Sequence, residues 1–238
     1  MRVWDIHPGY LARGNLLGQH AEIHALYTVL SGSGSGYRHH PETLRWQGRL
    51  QQLVWRHDKT VAEMKLRGFN HKSPLANVAE EPMTTTPGYV DAPTVQIGML
   101  EEKNRIRGAQ GRIPLPRRGS ELWAQHKYSV MARGYGFYRE IQQYLAKKED
   151  LAIAQEEDLI DRILHMMDLP VESGALANTT DHLWGYFKDK ASPGEREEYK
   201  AQAARDYANV LVWLYSLAEK YRVDYLVHST VFGDVIDC

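Results

Sequence analysis

Apolar residues near the start of the chain recur at helical spacing. Leu16, Ile23, Leu26, Tyr27 and Leu30 stand three, four or seven residues apart, which predicts an amphipathic helix over 10–30. The Ser/Gly alternation of 31–36 can hold neither helix nor strand and reads as a flexible loop. A second helix is predicted over 42–67, with Trp46, Leu50, Leu53, Val54, Val61 and Met64 turned inward and stop residues at Gly68 and Asn70. Residues 79–93, with Pro82, Pro87 and Pro93, read as an irregular connection, followed by a short helix near 94–107. The Pro/Arg/Gly segment from Gly108 to Gly119 is the predicted boundary between two domains, 1–112 and 120–238.

Beyond the boundary, periodicity predicts helices near 121–147, 150–168, 179–190 and 194–222, and a short strand near 225–232. The last helix has the clearest start. Ser192-Pro193-Gly194-Glu195 is a capping box with proline at the first helical position, and Tyr199, Ala203, Tyr207, Val210, Leu214, Leu217 and Tyr221 make one stripe behind it. The expected fold is all-α: a compact helical module followed by a second helical bundle.

A hydrophobic content of 43% in 238 residues is enough for a packed core. The net charge of −1 points to no polyanion partner, but it hides an asymmetry. Residues 1–79 hold ten Lys/Arg against five acids, a net +5, whereas residues 121–238 carry a net −7. The single cysteine, Cys238, excludes a disulfide framework or a cysteine metal site within one chain. No apolar run approaches the ~20 residues that cross a bilayer, and Met1–Asp5 lacks a signal peptide's apolar stretch. A soluble cytoplasmic protein is expected, nucleoid-associated if bacterial, with no membrane partner.

Several groups can carry chemistry. Arg45, Arg49, Gln52, Arg56 and Lys59 make a basic stripe on the second helix. With Arg2, Arg38, Arg67 and Lys72 in the same module, that stripe is suited to phosphate. His20 and His24, at i and i+4, can share a metal on one helix face, and adjacent His39 and His40 could add ligands. Glu22, however, stands one place later than the zinc-protease pattern requires. Half-buried helix histidines are the preferred reading, and no metal is assigned. The amine of Met1 is also a reagent: an α-amine titrates near ~7.7–8.0, so a fraction is nucleophilic at neutral pH. The bulky Arg2 is expected to prevent removal of Met1. In the second module, Arg117, Arg118, Lys127, Arg133 and Arg139 could form a local basic surface. Trp184, Tyr186 and Phe187 read as helix-packing core rather than as a base-stacking platform.

Met1-Arg2-Val3-Trp4 and then Leu16-Leu17-Gly18-Gln19-His20-Ala21-Glu22 with Ala25-Leu26 carry a resemblance. It continues through Gly36-Tyr37-Arg38-His39-His40-Pro41-Glu42-Thr43-Leu44-Arg45-Trp46 and Arg67-Gly68-Phe69-Asn70-His71-Lys72-Ser73-Pro74-Leu75. These stretches resemble the pyrimidine-dimer DNA glycosylase family of phage endonuclease V, with a weaker likeness to about residue 112. The resemblance implies an all-helical fold and a DNA repair glycosylase with abasic-site lyase activity. In that family the N-terminal amine attacks C1′ to form an imine, a helix glutamate assists, and β-elimination cuts the strand. Carried over by position, Met1 is the nucleophile and Glu22 the assisting carboxylate. Arg2, His20, Arg38, His39, His40, Arg45, Arg49, Arg56 and Lys72 are the nucleic-acid contacts, and no metal or organic cofactor is required. Ala21 stands where relatives typically carry arginine, and Asn15 where they often carry histidine. An abasic site, another lesion or an RNA target therefore stays open beside the dimer, as does a non-catalytic nucleic-acid-binding protein on the same fold. Gln125-His126-Lys127-Tyr128, Met131-Ala132, Tyr138-Arg139-Glu140 and Leu183-Trp184-Gly185-Tyr186-Phe187-Lys188 resemble an uncharacterised helical domain family, elsewhere joined to thiouracil desulfurase-like domains.

Overall fold

A computed structural model describes residues 2–34, 36–76, 88–203 and 207–234, and the chain divides into two compact units, Met1–Leu115 and Pro116–Cys238. Regular structure among the described residues is helical, apart from an isolated bridge between Arg118 and Ala152. The fold is all-α.

In the first unit an extended segment, residues 2–7, enters a 3-10 turn at Pro8–Tyr10. Four helices follow: α1 (Arg13–Leu30), α2 (Pro41–Trp46), α3 (Leu50–Leu66) and α4 (Pro93–Arg107). α1 packs on α3 and α2, and Val3, Ile23, Leu26, Trp46 and Leu53 meet in one buried cluster. Each such burial contributes about 1.5–3 kcal/mol. The segment from the N-terminus is thus part of the core. The helix predicted over 42–67 is two helices. The chain turns between them at Gly48, whose φ of 70° lies in the left-handed region that glycine tolerates best. His40 Nδ1 accepts from the Glu42 N–H and caps α2, with Pro41 at its first position. α4 ends at Gly108, left-handed at φ 57°. Of the irregular connection expected at 79–93, residues 79–87 lie outside the described residues.

Buried charge locks the end of this unit onto its beginning. Glu63, fully buried, accepts from Arg67 Nε (2.7 Å) and from Arg112 Nη2 (2.8 Å). Arg67 also donates to the carbonyls of Leu11 (2.7 Å) and Gly9 (3.1 Å). Ile113 N–H donates to the Gly9 carbonyl (3.0 Å), and a Cβ added to Gly111 would stand 2.4 Å from that oxygen. Only glycine fits that approach. Arg67 is therefore an interior residue and not part of a phosphate surface.

The second unit comprises α5 (Gly119–Met131), α6 (Tyr135–Ala146), α7 (Glu157–Met167), α8 (Ser173–Trp184), α9 (Pro193–Ala203), α10 (Tyr207–Lys220), α11 (Asp224–Val227) and α12 (Val231–Asp234). The helix predicted over 121–147 breaks at Ala132–Gly134, and the one predicted over 150–168 starts only at Glu157. The strand predicted near 225–232 is corrected to two short helices. His228 and Ser229 N–H donate to Asp224 and Leu226 carbonyls, and neighbouring helices offer no open backbone edge for a strand to pair with. The capping box forms as expected, with Ser192 N–H on Glu195 Oε2 at 2.8 Å and Glu195 N–H on Ser192 Oγ at 3.3 Å. Trp184 stacks on Tyr199 with ring centroids 4.4 Å apart, and Phe187 is fully buried, so both belong to helix packing. Arg133 is withdrawn from the suggested basic surface: it is buried and paired with Asp234 at 2.6 Å.

Candidate functional site

The segment next to Met1 is held by side chains from four helices. From α1, buried Gln19 accepts the Trp4 N–H on Oε1 (2.9 Å), and its amide donates to Thr60 Oγ1 of α3 (2.8 Å). From α2, Arg45 makes a bidentate pair with Asp5 (3.0 and 2.5 Å). From α3, Arg56 donates to the carbonyls of Trp4 and Ile6. From α4, Gln96 accepts the Asp5 N–H (2.8 Å) and donates back to Asp5 Oδ2 (2.7 Å). Unpaired, any of these backbone groups would carry a desolvation cost, so the network makes one path of the segment much more favourable than others. Met1 itself lies outside the described residues.

Two of the arginines expected to face outward as a phosphate stripe, Arg45 and Arg56, instead hold this frame, and a third, Arg49, lies against α2. Arg45 keeps only 7% of its side chain exposed and is committed to Asp5. Arg56 is committed to backbone carbonyls, and half-buried Arg49 donates to the Arg45 carbonyl (3.2 Å). Gln52 and Lys59 on the same stripe are buried. The stripe turns polar because polar backbone of the N-terminal segment lies against it. Arg38, His39 and Lys72 are exposed, while His40 serves as the α2 cap.

Exposed cations stand elsewhere, on α4. Lys103 lies over the Trp4 ring (5.2 Å to its centroid), and half-buried Arg2 lies against the same ring at 5.1 Å. Arg107 donates to Asn15 Oδ1 at 3.4 Å. Burial, and then the charges of Arg2 and Arg107, push the Lys103 ammonium below its ordinary pKa. Asp91 pairs with Arg2 at 2.6 Å. Asn15 and Glu22 are seven residues apart on α1, so they share one ridge about 10 Å long. Gly18 lies between them, and a Cβ there would meet nothing within 4 Å. Glu22 is half-buried, beside exposed Gly18, Ala21 and Ala25. A carboxylate, an open small-residue ridge and cations at its N-terminal end share one side of α1.

Residues 1–77 match the pyrimidine dimer DNA glycosylase family. The matched stretch contains the clamped segment, α1, α2, α3 and the loop after α3. It supports a function of the DNA glycosylase type for this unit, with DNA as substrate. Residues 127–234 match a second family, described as a protein of unknown function (DUF1722). No curated protein and no solved structure matches the chain. No described helix is long and apolar enough to cross a membrane.

The opposite side of α1 carries a different group. His20 and His24 meet His57 of α3 and His71 of the following loop, with one potential ligand atom from each ring within 4.8 Å of all the others. Burial, and then the three neighbouring rings, push His20 down to about 4. Neither His39 nor His40 joins them. Sequence reasoning singled out His20 and His24 but missed His57, which sits in line with the inward residues of α3, and His71. It also missed Lys103 and Arg107, whose i,i+4 spacing on the exposed face of α4 was the available signal.

Separate roles for the two sets of cations give separable effects. Arg45→Ala should destabilise by about 3–5 kcal/mol, because Asp5 stays buried without its partner, and the urea midpoint reads it. The double change Lys103→Ala and Arg107→Ala should leave that midpoint in place. It should lower the salt slope of duplex binding by about 0.9 per lost phosphate contact.

Proposed function

We propose that the first unit removes a damaged base from DNA and then cuts the strand, with the Met1 amine as nucleophile and Glu22 as its assisting carboxylate. The fixed course of residues 2–7 supports this reading most directly. A nucleophile on a chain terminus is useful only if that terminus is held, and here four helices hold the residues next to it.

The chemistry balances with these groups alone. The amine nitrogen bonds to C1′ as the glycosidic C1′–N bond breaks, and the base leaves with the electron pair and takes up a proton. Glu22 takes the proton from the attacking nitrogen and returns it to O4′ as the C1′–O4′ bond opens, leaving a protonated imine. Its negative charge favours that cation. Loss of the C2′ proton then expels the 3′ phosphate, and water hydrolyses the imine to restore the amine. None of these steps needs a metal or an organic cofactor. Lys103 and Arg107 supply positive charge on this side of α1, where Ala21 has none.

Borohydride tests the reading, because it reduces an imine to a stable amine. Untagged protein incubated with an abasic-site duplex should give a covalent adduct that maps to the Met1 peptide. Tight duplex binding with no adduct and no cleavage would favour the non-catalytic alternative.

A further inference from the structure

We propose that His20, His24, His57 and His71 form a binding site for a divalent transition-metal ion of the zinc class, held by four imidazoles on the side of α1 away from Glu22. This goes beyond the glycosylase reading, and no step of that chemistry passes through the site.

The geometry comes first. Nε2 of His20 lies 3.3 Å from Nε2 of His24 and 3.0 Å from Nε2 of His71, and all four ligand atoms fall within 4.8 Å of one another. Four nitrogens bound tetrahedrally to zinc at ~2.0–2.1 Å stand about 3.3 Å apart. Small side-chain adjustments would close the set around one ion.

The second observation is His57. It is 1% exposed, and its Nδ1 is paired with Asp58 Oδ1 at 2.8 Å. Its other nitrogen, Nε2, is buried and has no hydrogen-bond partner. A shared-proton network among imidazoles accounts for the short contacts of His20 with His24 and His71. It does not account for His57, whose free nitrogen sits in a ring with centroids 5.1 Å from His20, 5.1 Å from His24 and 5.3 Å from His71. A metal ion satisfies all four lone pairs at once. The Asp58 carboxylate would then hold the His57 tautomer that keeps the Nε2 lone pair free for the metal.

Ligand chemistry narrows the ion. Four neutral nitrogens and no oxygen donor suit zinc, cobalt, nickel or copper rather than magnesium or calcium. Four protein ligands leave no open position, the mark of a structural site. Such an ion would tie α1, α3 and the loop carrying His71 together and so brace the helix that carries Glu22.

The test uses the untagged full-length chain, since a histidine tag would add foreign imidazoles. Chelator-treated protein titrated with Co2+ should bind one ion per chain with the intense visible absorption of tetrahedral cobalt, and Zn2+ should bleach it. Saturating Zn2+ should also raise the thermal midpoint. Asp58→Asn should weaken Co2+ binding about 10–100-fold, and His57→Asn and His71→Ala should weaken it further. If His57→Asn fails to fold, His71→Ala decides, because that residue lies in a half-exposed loop. Weak, octahedral-type absorption, or affinity unchanged in His71→Ala, overturns the site. Glu22→Gln should keep the cobalt spectrum, so a failure of the glycosylase reading and a failure of the metal site are told apart.

Discussion

Acetylating the Met1 amine is expected to abolish strand cleavage and borohydride trapping while leaving duplex binding nearly intact. An amide nitrogen has delocalised its lone pair and cannot form an imine, whereas phosphate contacts from Arg2, Lys103 and Arg107 survive the change. A short N-terminal extension should act the same way, because it moves the amine away from the clamped segment. The comparison is made on one batch, half acetylated, with abasic and dimer-bearing duplexes. Trapping at an undiminished rate in the acetylated half would mean that a lysine is the nucleophile. Lys103, held against Trp4 with its pKa lowered, would be the first to replace.

Glu22→Gln should bind DNA as the parent does and cleave it more slowly by about 10²–10⁴-fold, the usual contribution of an acid/base group. Glutamine keeps the size and hydrogen-bonding reach of the side chain and removes only its charge and its ability to exchange a proton. Single-turnover rates on a preformed abasic site read the lyase half alone, and rates on an intact lesion read both halves. A variant as fast as the parent on both substrates would take Glu22 out of the mechanism.

Much of the architecture is legible in local sequence. The stripe from Leu16 to Leu30 marks α1, and Ser192 with Glu195 marks the start of α9, because periodicity and capping are properties of a few neighbouring residues. What periodicity cannot report is what lies against a helix face. Arg45 and Arg56 have the spacing of a solvated basic stripe, yet residues 2–7 lie across them. The break at Gly48 was also concealed, since apolar residues on both sides keep helical spacing through it. At the candidate site, the sequence resemblance pointed to Met1 and Glu22. The i,i+4 spacing of Lys103 and Arg107 marks a helix face. Only tertiary contacts bring them to the candidate site, Lys103 with Trp4 and Arg107 with Asn15 of α1, 92 residues away in the second case. His57 and His71 escaped notice for the same reason: neither has a histidine within four positions, and only the packing of α3 and its following loop against α1 brings them to His20.

The clamp on residues 2–7 also sets an order of events during synthesis. The partners of these residues lie at Gln19, Arg45, Arg56 and finally Gln96, which is 91 residues beyond Asp5. Contacts so distant in sequence form late and slow the folding of a small helical unit. A nascent chain that has not yet released α4 lacks Gln96 and cannot complete the clamp on Asp5. The clamp closes only once α4 has joined the unit, so any activity that depends on it arrives as a late event of folding.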